Sequence, residues 1–225
     1  MKFLYETHLH TSEGSGCGRN SAAEQVQAYK RRGYQGIIVT DHFINGFSTC
    51  PRYHDMTWED KMAYVVAGYM SAKEEGDRIG LDVFQGWEFT IRGSDFLTYG
   101  LDWDFLLAHP GLHKLDVAEY SEVVRKNGGF LAQAHPYRKA PYIEYQFPVG
   151  VPYIDAVEIY NASDTKQSNE KARAFAKKHD LPVQAGSDSH GTDGGIISGI
   201  RLEKRAENIQ DIIEAIKARK VGLII

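Results

Sequence analysis

Two pairs of metal-binding residue types, each spaced two residues apart, lie near opposite ends of this sequence. His8 and His10 follow the strand-like start KFLYE, and Asp188 and His190 lie in the stretch GSDSH. In an extended strand, residues two apart point to the same side, so each pair would present both side chains to one place. Imidazole and carboxylate groups placed in this way suit a metal ion.

Strand-like runs alternate with helix-like segments along the whole chain. Ser21 and Glu24 form a capping box that starts one helix, Gly33 ends it, and Thr57 starts a second helix. The strands are short and apolar, and SDFLTYGLD is one of them. This alternation predicts a mostly parallel sheet of about seven strands, and the strand number favours a closed or nearly closed barrel.

Further candidate ligands end the other predicted strands. His42, Glu88 and His135 stand at three of these ends, in VTDH, GWEFT and AHP. In a parallel α/β barrel all such ends open on one face, where active sites lie. One such histidine alone would more often be a loop or core residue, but a purely structural cluster of this size would leave buried charges unpaired. The set therefore predicts a centre with more than one ion, with Glu88 as the bridging carboxylate.

The composition excludes several classes of protein. A chain of 225 residues with 42% hydrophobic residues is expected to form a single domain, 1–225, with a substantial core. The net charge of -4 and the absence of a lysine or arginine block disfavour a long nucleic acid as partner. No apolar run is long enough for a membrane span, and no signal peptide is evident, so a cytoplasmic location is expected. Cys17 and Cys50 are expected to be free thiols, with Cys17 mainly a loop residue and a thiolate nucleophile as the alternative.

The motifs THLHT, VTDH, the isolated glutamate of GWEFT, AHP and GSDSH, in this order, resemble the PHP family, named for polymerase and histidinol phosphatase. The resemblance covers nearly the whole chain. It implies an α/β fold, a distorted (β/α)7 TIM-like barrel, with two or three divalent metal ions and phosphoester hydrolysis. By motif position, it implies as metal ligands His8, His10, His42, Glu88, His135, Asp188 and His190.

The chain departs from the family pattern in two places. Many members carry an extra His or Asp shortly after the first histidine pair, and here Glu13 is taken as that ligand. The glycine-rich loop around it could fold back over the strand end, although Glu13 could instead point to solvent. A further family histidine after the glutamate has no clear counterpart, and either Asp95 or His109 would complete the shell of a third ion.

The chemistry implied is hydrolysis of a small phosphomonoester or nucleotide-like phosphoester by a metal-bound hydroxide, with Zn, Mn or Fe as the metal. Arg138, and less directly Arg19, are candidate contacts of the substrate phosphate. Asp188 and His190 are the candidate catalytic groups, and either Asp188 or a histidine of the set would protonate the leaving oxygen. Histidinol phosphate is one specific substrate to consider. An amidohydrolase acting on a C–N bond is disfavoured because no lysine ends a strand, and a nonenzymatic metal-binding domain is disfavoured by the full ligand set.

Overall fold

The structure is a computed structural model that describes residues 2–51, 56–144, 148, 150–193 and 197–225. The helices in these residues are α1 (Ala22–Arg31), α2 (Trp58–Ile79), α3 (Trp103–Ala108), α4 (Val117–Lys126), α5 (Lys166–Lys178) and α6 (Ile209–Lys217). The strands are β1 (Phe3–Glu6), β2 (Gly36–Val39), β3 (Asp82–Ile91), β4 (Ser94–Tyr99), β5 (Phe130–Gln133), β6 (Ala156–Asn161), β7 (Val183–Gly186), β8 (Gly199–Leu202) and β9 (Gly222–Ile224).

The strands of the described residues form one sheet in the order β7-β6-β5-β4-β3-β2-β1-β8-β9. Just beyond the ends of β1 and β7, Leu9 and Ser189 form a parallel bridge. The amide of His10 donates to the carbonyl of Ser189 at 2.9 Å. This contact joins the first strand to the seventh, so β1 to β7 make the nearly closed, distorted α/β barrel that the sequence predicts.

Six of the seven barrel strands run in one direction, as predicted for a mostly parallel sheet, and β4 is the exception, antiparallel to both of its neighbours. Only Arg92 and Gly93 connect β3 to β4, and both have positive φ angles, of 49° and 80°. A two-residue connection of this kind makes a hairpin, whereas a parallel crossover needs a dozen residues or more. Strands β8 and β9 are also added in antiparallel pairs, after β1.

The predicted helix starts are confirmed, and they fix the loops that carry the candidate ligands. The side chains of Ser21 and Thr57 each accept a hydrogen bond from the backbone amide three residues on, in complete capping boxes. All four residues of β2 are buried, as expected for a strand covered on both faces. The chain that leaves β2 therefore emerges at the C-terminal face of the barrel, where Asp41 and His42 lie.

The histidines away from the predicted strand ends have other surroundings. His179 is exposed, His113 is half-buried with its ring stacked on Trp58 at 5.6 Å between centroids, and His54 lies outside the described residues. In the part of the chain that the structure describes, no helix combines the length and apolar character that a membrane span requires.

Candidate metal centre

The side chains predicted from strand ends meet at the C-terminal face of the barrel. The Nε2 atom of His8 lies 3.2 Å from Nε2 of His10 and 3.2 Å from Oε1 of Glu88. The Nε2 atom of His10 lies 3.3 Å from Oδ1 of Asp188. Within the described residues, ligand atoms gather in three overlapping groups: His10, Cys17, His42 and His190; His8, His10 and Asp188; and His8, Glu88 and His135.

Glu88 lies between the groups, with one carboxylate oxygen turned to each side. Its Oε1 is 3.2 Å from Nε2 of both His8 and His135, and its Oε2 is 3.4 Å from Nε2 of His10 and 3.0 Å from Nδ1 of His42. Burial would raise the pKa of Glu88, but the neighbouring His8 and His42 hold it well below its usual value. An ionised carboxylate with its two oxygens facing separate ligand groups is what a bridge between two ions requires.

The spacing of the donor atoms fits metal ions. Two ligands at about 2.1 Å from a tetrahedral ion are roughly 3.4 Å apart, close to the separations around His8 and His10. Within the described residues, the buried Nδ1 of His42 makes no well-aligned hydrogen bond, although Oε2 of Glu88 lies only 3.0 Å away. Buried polar atoms without partners are costly, and a bound cation would satisfy this one. The residues present therefore fit the divalent metals that the family resemblance implies.

Hydrogen bonds on the outer side of the rings orient the histidines. Nδ1 of His8 lies 3.0 Å from Oε1 of Glu158, and Nδ1 of His190 lies 2.9 Å from the carbonyl oxygen of Asp188. A carboxylate and a carbonyl can only accept, so both Nδ1 atoms carry the proton in these bonds. The opposite Nε2 atoms then direct their lone pairs into the cluster, as in histidine ligands held by outer carboxylates.

His10 is oriented by a relay that ends on Asp41. Nδ1 of His10 lies 3.1 Å from Oγ of Ser15, and that hydroxyl donates its only proton to Oδ1 of Asp41 at 2.7 Å. Ser15 must therefore accept from Nδ1 of His10, which again leaves Nε2 as the basic atom. Burial and the neighbouring His42 lower the pKa of His10 to about 3, so its lone pair is available to a metal at neutral pH. Asp41 thus acts as an anchor of the ligand loop.

Two buried carboxylates below the ligands hold the strand ends together. Oε1 of Glu6 accepts from the backbone amides of His8 and Ser187, each at 2.9 Å, and so joins the end of β1 to the end of β7. Oε2 of Glu158 accepts from the backbone amide of His135 at 3.0 Å. Sequence reasoning did not assign these roles, although a glutamate inside an apolar strand was a visible signal in both cases.

Two of the candidate ligands have unusual backbone conformations. His135 has a φ of 26° and Asp188 a φ of 52°, in the region that favours glycine. Such conformations persist only where the surroundings hold them, and they concentrate at functional sites. For His135, the hydrogen bond from its backbone amide to the carboxylate of Glu158 is one such constraint. The strain at these two positions is consistent with side chains aimed at a common centre.

The structure does not bring Glu13 to the cluster, and Cys17 lies there instead. Both carboxylate oxygens of Glu13 accept from the amide of Ala22, at 3.0 and 2.9 Å, at the start of α1. A carboxylate is favoured at a helix N-terminus by the dipole and the free amides. Burial would raise the pKa of Cys17, but hydrogen bonds from His190 and His42 lower it to about 7. We therefore replace Glu13 by Cys17 among the candidate ligands.

Replacing Cys17 and Glu13 by alanine, one at a time, should show which side chain binds metal and which stabilises the start of α1. Cys17→Ala should lower the metal content by about one ion per chain, because it removes a donor from the group with His42 and His190. Glu13→Ala should leave the metal content unchanged and lower the free energy of unfolding by about 1 kcal/mol through the lost cap. Elemental analysis and urea unfolding measure the two effects. A metal loss in the Glu13 variant alone would restore the sequence prediction.

A cavity of about 630 Å³ opens onto the cluster, and only one of the two candidate substrate arginines lines it. Arg138 lines this cavity, and its Nη2 lies 2.6 Å from Oδ2 of Asp188. Arg19 is not among the lining residues; it pairs with the exposed Asp193 at 2.8 Å and lines a smaller cavity of about 130 Å³. The geometry therefore favours Arg138, which lines the larger cavity. Arg19 is exposed and lines only the smaller cavity, which Asp188 and His190 also line.

Asp95 and His109, the two candidates for the shell of a third ion, differ in their distance from the other ligands. Asp95 is buried, lines the same cavity, and places Oδ2 3.9 Å from Nε2 of His135. His109 ends α3, where its Nδ1 lies 2.7 Å from the carbonyl oxygen of Phe105. Of the two residues considered for a third metal shell, only Asp95 stands beside the candidate ligands.

Comparisons with known proteins agree with this fold. The family model PHP_C, described as PHP-associated, matches residues 166–194, which include α5, β7, Asp188 and His190. No curated protein matches the sequence. A two-domain protein from Bacteroides vulgatus containing a predicted PHP-like metal-dependent phosphoesterase is 15% identical, with a TM-score of 0.73. The match covers 100% of this chain and 65% of that protein, so the chain spans less than two thirds of its length.

Two other structures with a similar fold are named for different activities. An amidohydrolase from Chromobacterium violaceum, with bound sulfate and no metal, is 14% identical, with a TM-score of 0.59 over 95% of this chain and 96% of that one. A lesion-specific endonuclease from Pyrococcus furiosus is 13% identical, with a TM-score of 0.65 over 100% of this chain and 58% of that one. At these identities the likeness shows the fold alone. The nearly closed barrel and the PHP-associated segment together confirm the predicted resemblance of this chain to the PHP family.

Proposed function

We propose that this chain is a metal-dependent hydrolase of small phosphomonoesters or nucleotide-like phosphoesters. The observation that carries the proposal is the position of Glu88, whose two oxygens each face two histidines at 3.0 to 3.4 Å. Centres of two or more ions joined by a carboxylate are the usual apparatus for in-line displacement at phosphorus. The cavity beside them also supplies a guanidinium, which binds phosphate oxygens in a fork-like geometry.

Two or three divalent ions would be held by the three ligand groups. The group with Cys17 combines a thiolate with imidazoles and suits Zn or Fe, whereas the groups with Glu88 and Asp188 also suit Mn. When bound, such ions would activate a water molecule and neutralise charge on the phosphoryl group. The residues of the chain set where this happens, because Glu6 and Glu158 fix the strand ends that carry the ligands.

Arg138 is proposed to bind the phosphoryl group of the substrate. Its side chain is 17% exposed and its Nη2 lies 2.6 Å from Asp188 and 3.2 Å from Oδ1 of Asn161. These contacts restrict the guanidinium to the cavity wall, beside the ligands. A cation held in place before substrate arrives needs little reorganisation during the reaction.

Asp188 and His190 are proposed as the catalytic groups beside the leaving oxygen. Burial would raise the pKa of Asp188, but His8, His10 and Arg138 hold it well below its usual value, so Asp188 acts as a carboxylate ligand. His190 lines the cavity, and its side chain is 25% exposed. Of the two, His190 is the better placed to pass a proton to the departing alcohol. In that role its Nε2 carries the proton and binds no metal, so His10, Cys17 and His42 alone would hold the ion of that group.

The competing functions make different demands on the site. An amidohydrolase of the modified-lysine type would need a lysine beside the ligands, and within the described residues no lysine lines the cavity. A nuclease would need a surface for a polynucleotide, which the net charge of -4 does not favour. Histidinol phosphate and nucleotides both remain candidate substrates of a phosphomonoesterase.

The test is turnover by the metal-loaded chain across three classes of bond. We expect hydrolysis of p-nitrophenyl phosphate with Mn, Zn or Fe(II), followed by a preference within a panel that includes histidinol phosphate and nucleoside monophosphates. Single-stranded oligonucleotides and an N-acyl amino acid are the comparison substrates. Cleavage of the amide alone would replace the proposal by an amidohydrolase, and cleavage of the oligonucleotide alone would replace it by a nuclease.

A further inference from the structure

Two exposed aromatic side chains line the candidate active-site cavity. Of the large hydrophobic residues in the described part of the chain, four are strongly exposed: Phe47 (61%), Met70 (61%), Tyr142 (64%) and Ile225 (62%). Phe47 and Tyr142 both line the cavity of about 630 Å³. Single exposed apolar residues are ordinary, but two aromatic rings at one cavity form a surface that gains free energy when a ligand covers it.

The two rings belong to different loops on the C-terminal face of the barrel. Phe47 follows β2 and Tyr142 follows β5, and the sheet places β3 and β4 between these two strands. The cavity therefore reaches from the loop after β2, past Glu88 on β3 and Asp95 on β4, to the loop after β5. A ligand that fills it can contact an aromatic ring from either loop.

Backbone contacts hold both loops against the candidate ligands. The carbonyl oxygen of Phe47 accepts from the amide of Gly16 at 2.8 Å, next to Cys17. The carbonyl of Tyr142 packs against Gly93, where an added Cβ atom would lie only 2.5 Å from it. The amide of the nearby Glu144 donates to the carbonyl of Arg92 at 3.1 Å. The aromatic rings are thus carried by backbone that is already fixed to the site.

Charge and apolar surface are separated within the cavity. Glu88, Asp188 and Arg138 are nearly or largely buried and lie on the metal-binding side, whereas the two aromatic rings are more than half exposed. Pockets of 300 to 1,000 Å³ enclose organic ligands well beyond the size of a phosphate ion. The arrangement suits a molecule with a phosphoryl group at one end and an apolar, planar group at the other.

We propose that Phe47 and Tyr142 form an aromatic subsite that binds a planar aromatic group on the alcohol side of the phosphoester. This inference rests on the proposed phosphoesterase function and narrows its substrate class to phosphomonoesters of aromatic or nucleoside alcohols. Stacking on aromatic side chains strengthens the binding of a base by about 10- to 100-fold. An alcohol portion without a planar ring gains less, because it lacks the facing π-surface.

The test compares three phosphonates, whose C–P bonds are not hydrolysed, on the full chain loaded with Mn. Calorimetry gives the dissociation constants of phenyl-, cyclohexyl- and methylphosphonate. We expect phenylphosphonate to bind about tenfold more tightly than methylphosphonate and more tightly than cyclohexylphosphonate. Phe47→Ala and Tyr142→Ala should each reduce this preference at least about threefold while leaving methylphosphonate binding unchanged. The matched control, Met70→Ala, removes an equally exposed apolar side chain outside the cavity and should change nothing.

A second readout separates this inference from the function on which it rests. Adenosine 5′-monophosphate and ribose 5-phosphate lose phosphate from the same kind of alcohol, and only the first carries a base. We expect kcat/KM to favour the nucleotide in the wild type and to lose that advantage in the two aromatic variants. Turnover of both esters with equal phenyl- and methylphosphonate binding would overturn the subsite alone. A phenyl preference that depends on Phe47 and Tyr142, with no turnover of any phosphoester, would overturn the phosphoesterase and leave the subsite standing.

Discussion

Glu88→Gln should lower kcat/KM for a phosphomonoester by about a thousandfold, or roughly 4 kcal/mol of transition-state stabilisation. Glutamine keeps the shape of the side chain but replaces one ligand oxygen by an amide nitrogen, which cannot bind a cation. Because the two oxygens of Glu88 face His8 with His135 and His10 with His42, this change disturbs two ligand groups at once. Steady-state kinetics and elemental analysis of the same preparation should show the loss of activity and of metal together.

Two comparison variants make that result interpretable. Glu74→Gln makes the same chemical change on the exposed face of α2 and should leave activity unchanged. Arg138→Ala should raise KM more than it lowers kcat, since Arg138 is proposed to bind substrate and not the metals. Unaltered kcat in the Glu88 variant, at full metal content, would rule out the bridge. A larger loss of kcat in the Arg138 variant would reassign the main catalytic contribution to the arginine.

Removing the metals should abolish hydrolysis and also lower the melting temperature by about 5 to 10 °C. Ions that bind the folded chain at 100 times their dissociation constant stabilise it by about 2.7 kcal/mol. For a chain of this size, 1 kcal/mol corresponds to roughly 2 to 4 °C. The physical reason is that bound cations would add to the compensation of the buried, ionised Glu88 and Asp188, which otherwise rests on the neighbouring histidines and on Arg138. Dialysis against a chelator, followed by calorimetry and assay, measures both effects.

Restoring the metals one at a time extends this experiment. Activity and melting temperature should return together when Mn, Zn or Fe(II) is added back. In the control, dialysis against a chelator already saturated with metal should reduce neither. A metal-free chain, verified by elemental analysis, that keeps its full melting temperature and activity would contradict the metal centre. Recovery of stability without activity would point to ligand groups that hold the fold and not the reaction.

The candidate ligands could be predicted from sequence because their convergence follows from local rules. Apolar runs separated by capped helices predict parallel strands, and parallel strands end on one face of a barrel. His8, His42, His135 and Asp188 each follow such an end, and Glu88 lies within β3 where it bridges to His42. The meeting of these residues could therefore be predicted from the period of the strands and the order of the elements. The start of α1 at Ser21 likewise followed from a capping box four residues long.

The contacts of Glu13 and Cys17 depend on which neighbouring groups lie near each side chain in the folded chain. Both residues stand in one glycine-rich loop, and the family pattern implied Glu13 because of its position shortly after the histidine pair. The loop, however, passes the N-terminus of α1, whose free amides bind the carboxylate of Glu13 through Ala22. That leaves the thiol of Cys17 to face His42 and His190. Local sequence specifies the two side chains but not which neighbour each one reaches.

Sequence by itself therefore determined the types of ligand, their placement at strand ends and the barrel class, because these depend on short-range periodicity. The reversal of β4 follows from the short Arg92–Gly93 connection, a local signal that the sequence analysis did not use. Only the tertiary structure decided that Asp95 and not His109 reaches the ligands, and that Glu6 and Glu158 join the strand ends through hydrogen bonds. It also brought Phe47 and Tyr142 to one cavity from loops almost a hundred residues apart. The physical reason is that these contacts join residues distant along the chain, and their choice depends on which buried polar and apolar groups the closed barrel leaves to be satisfied.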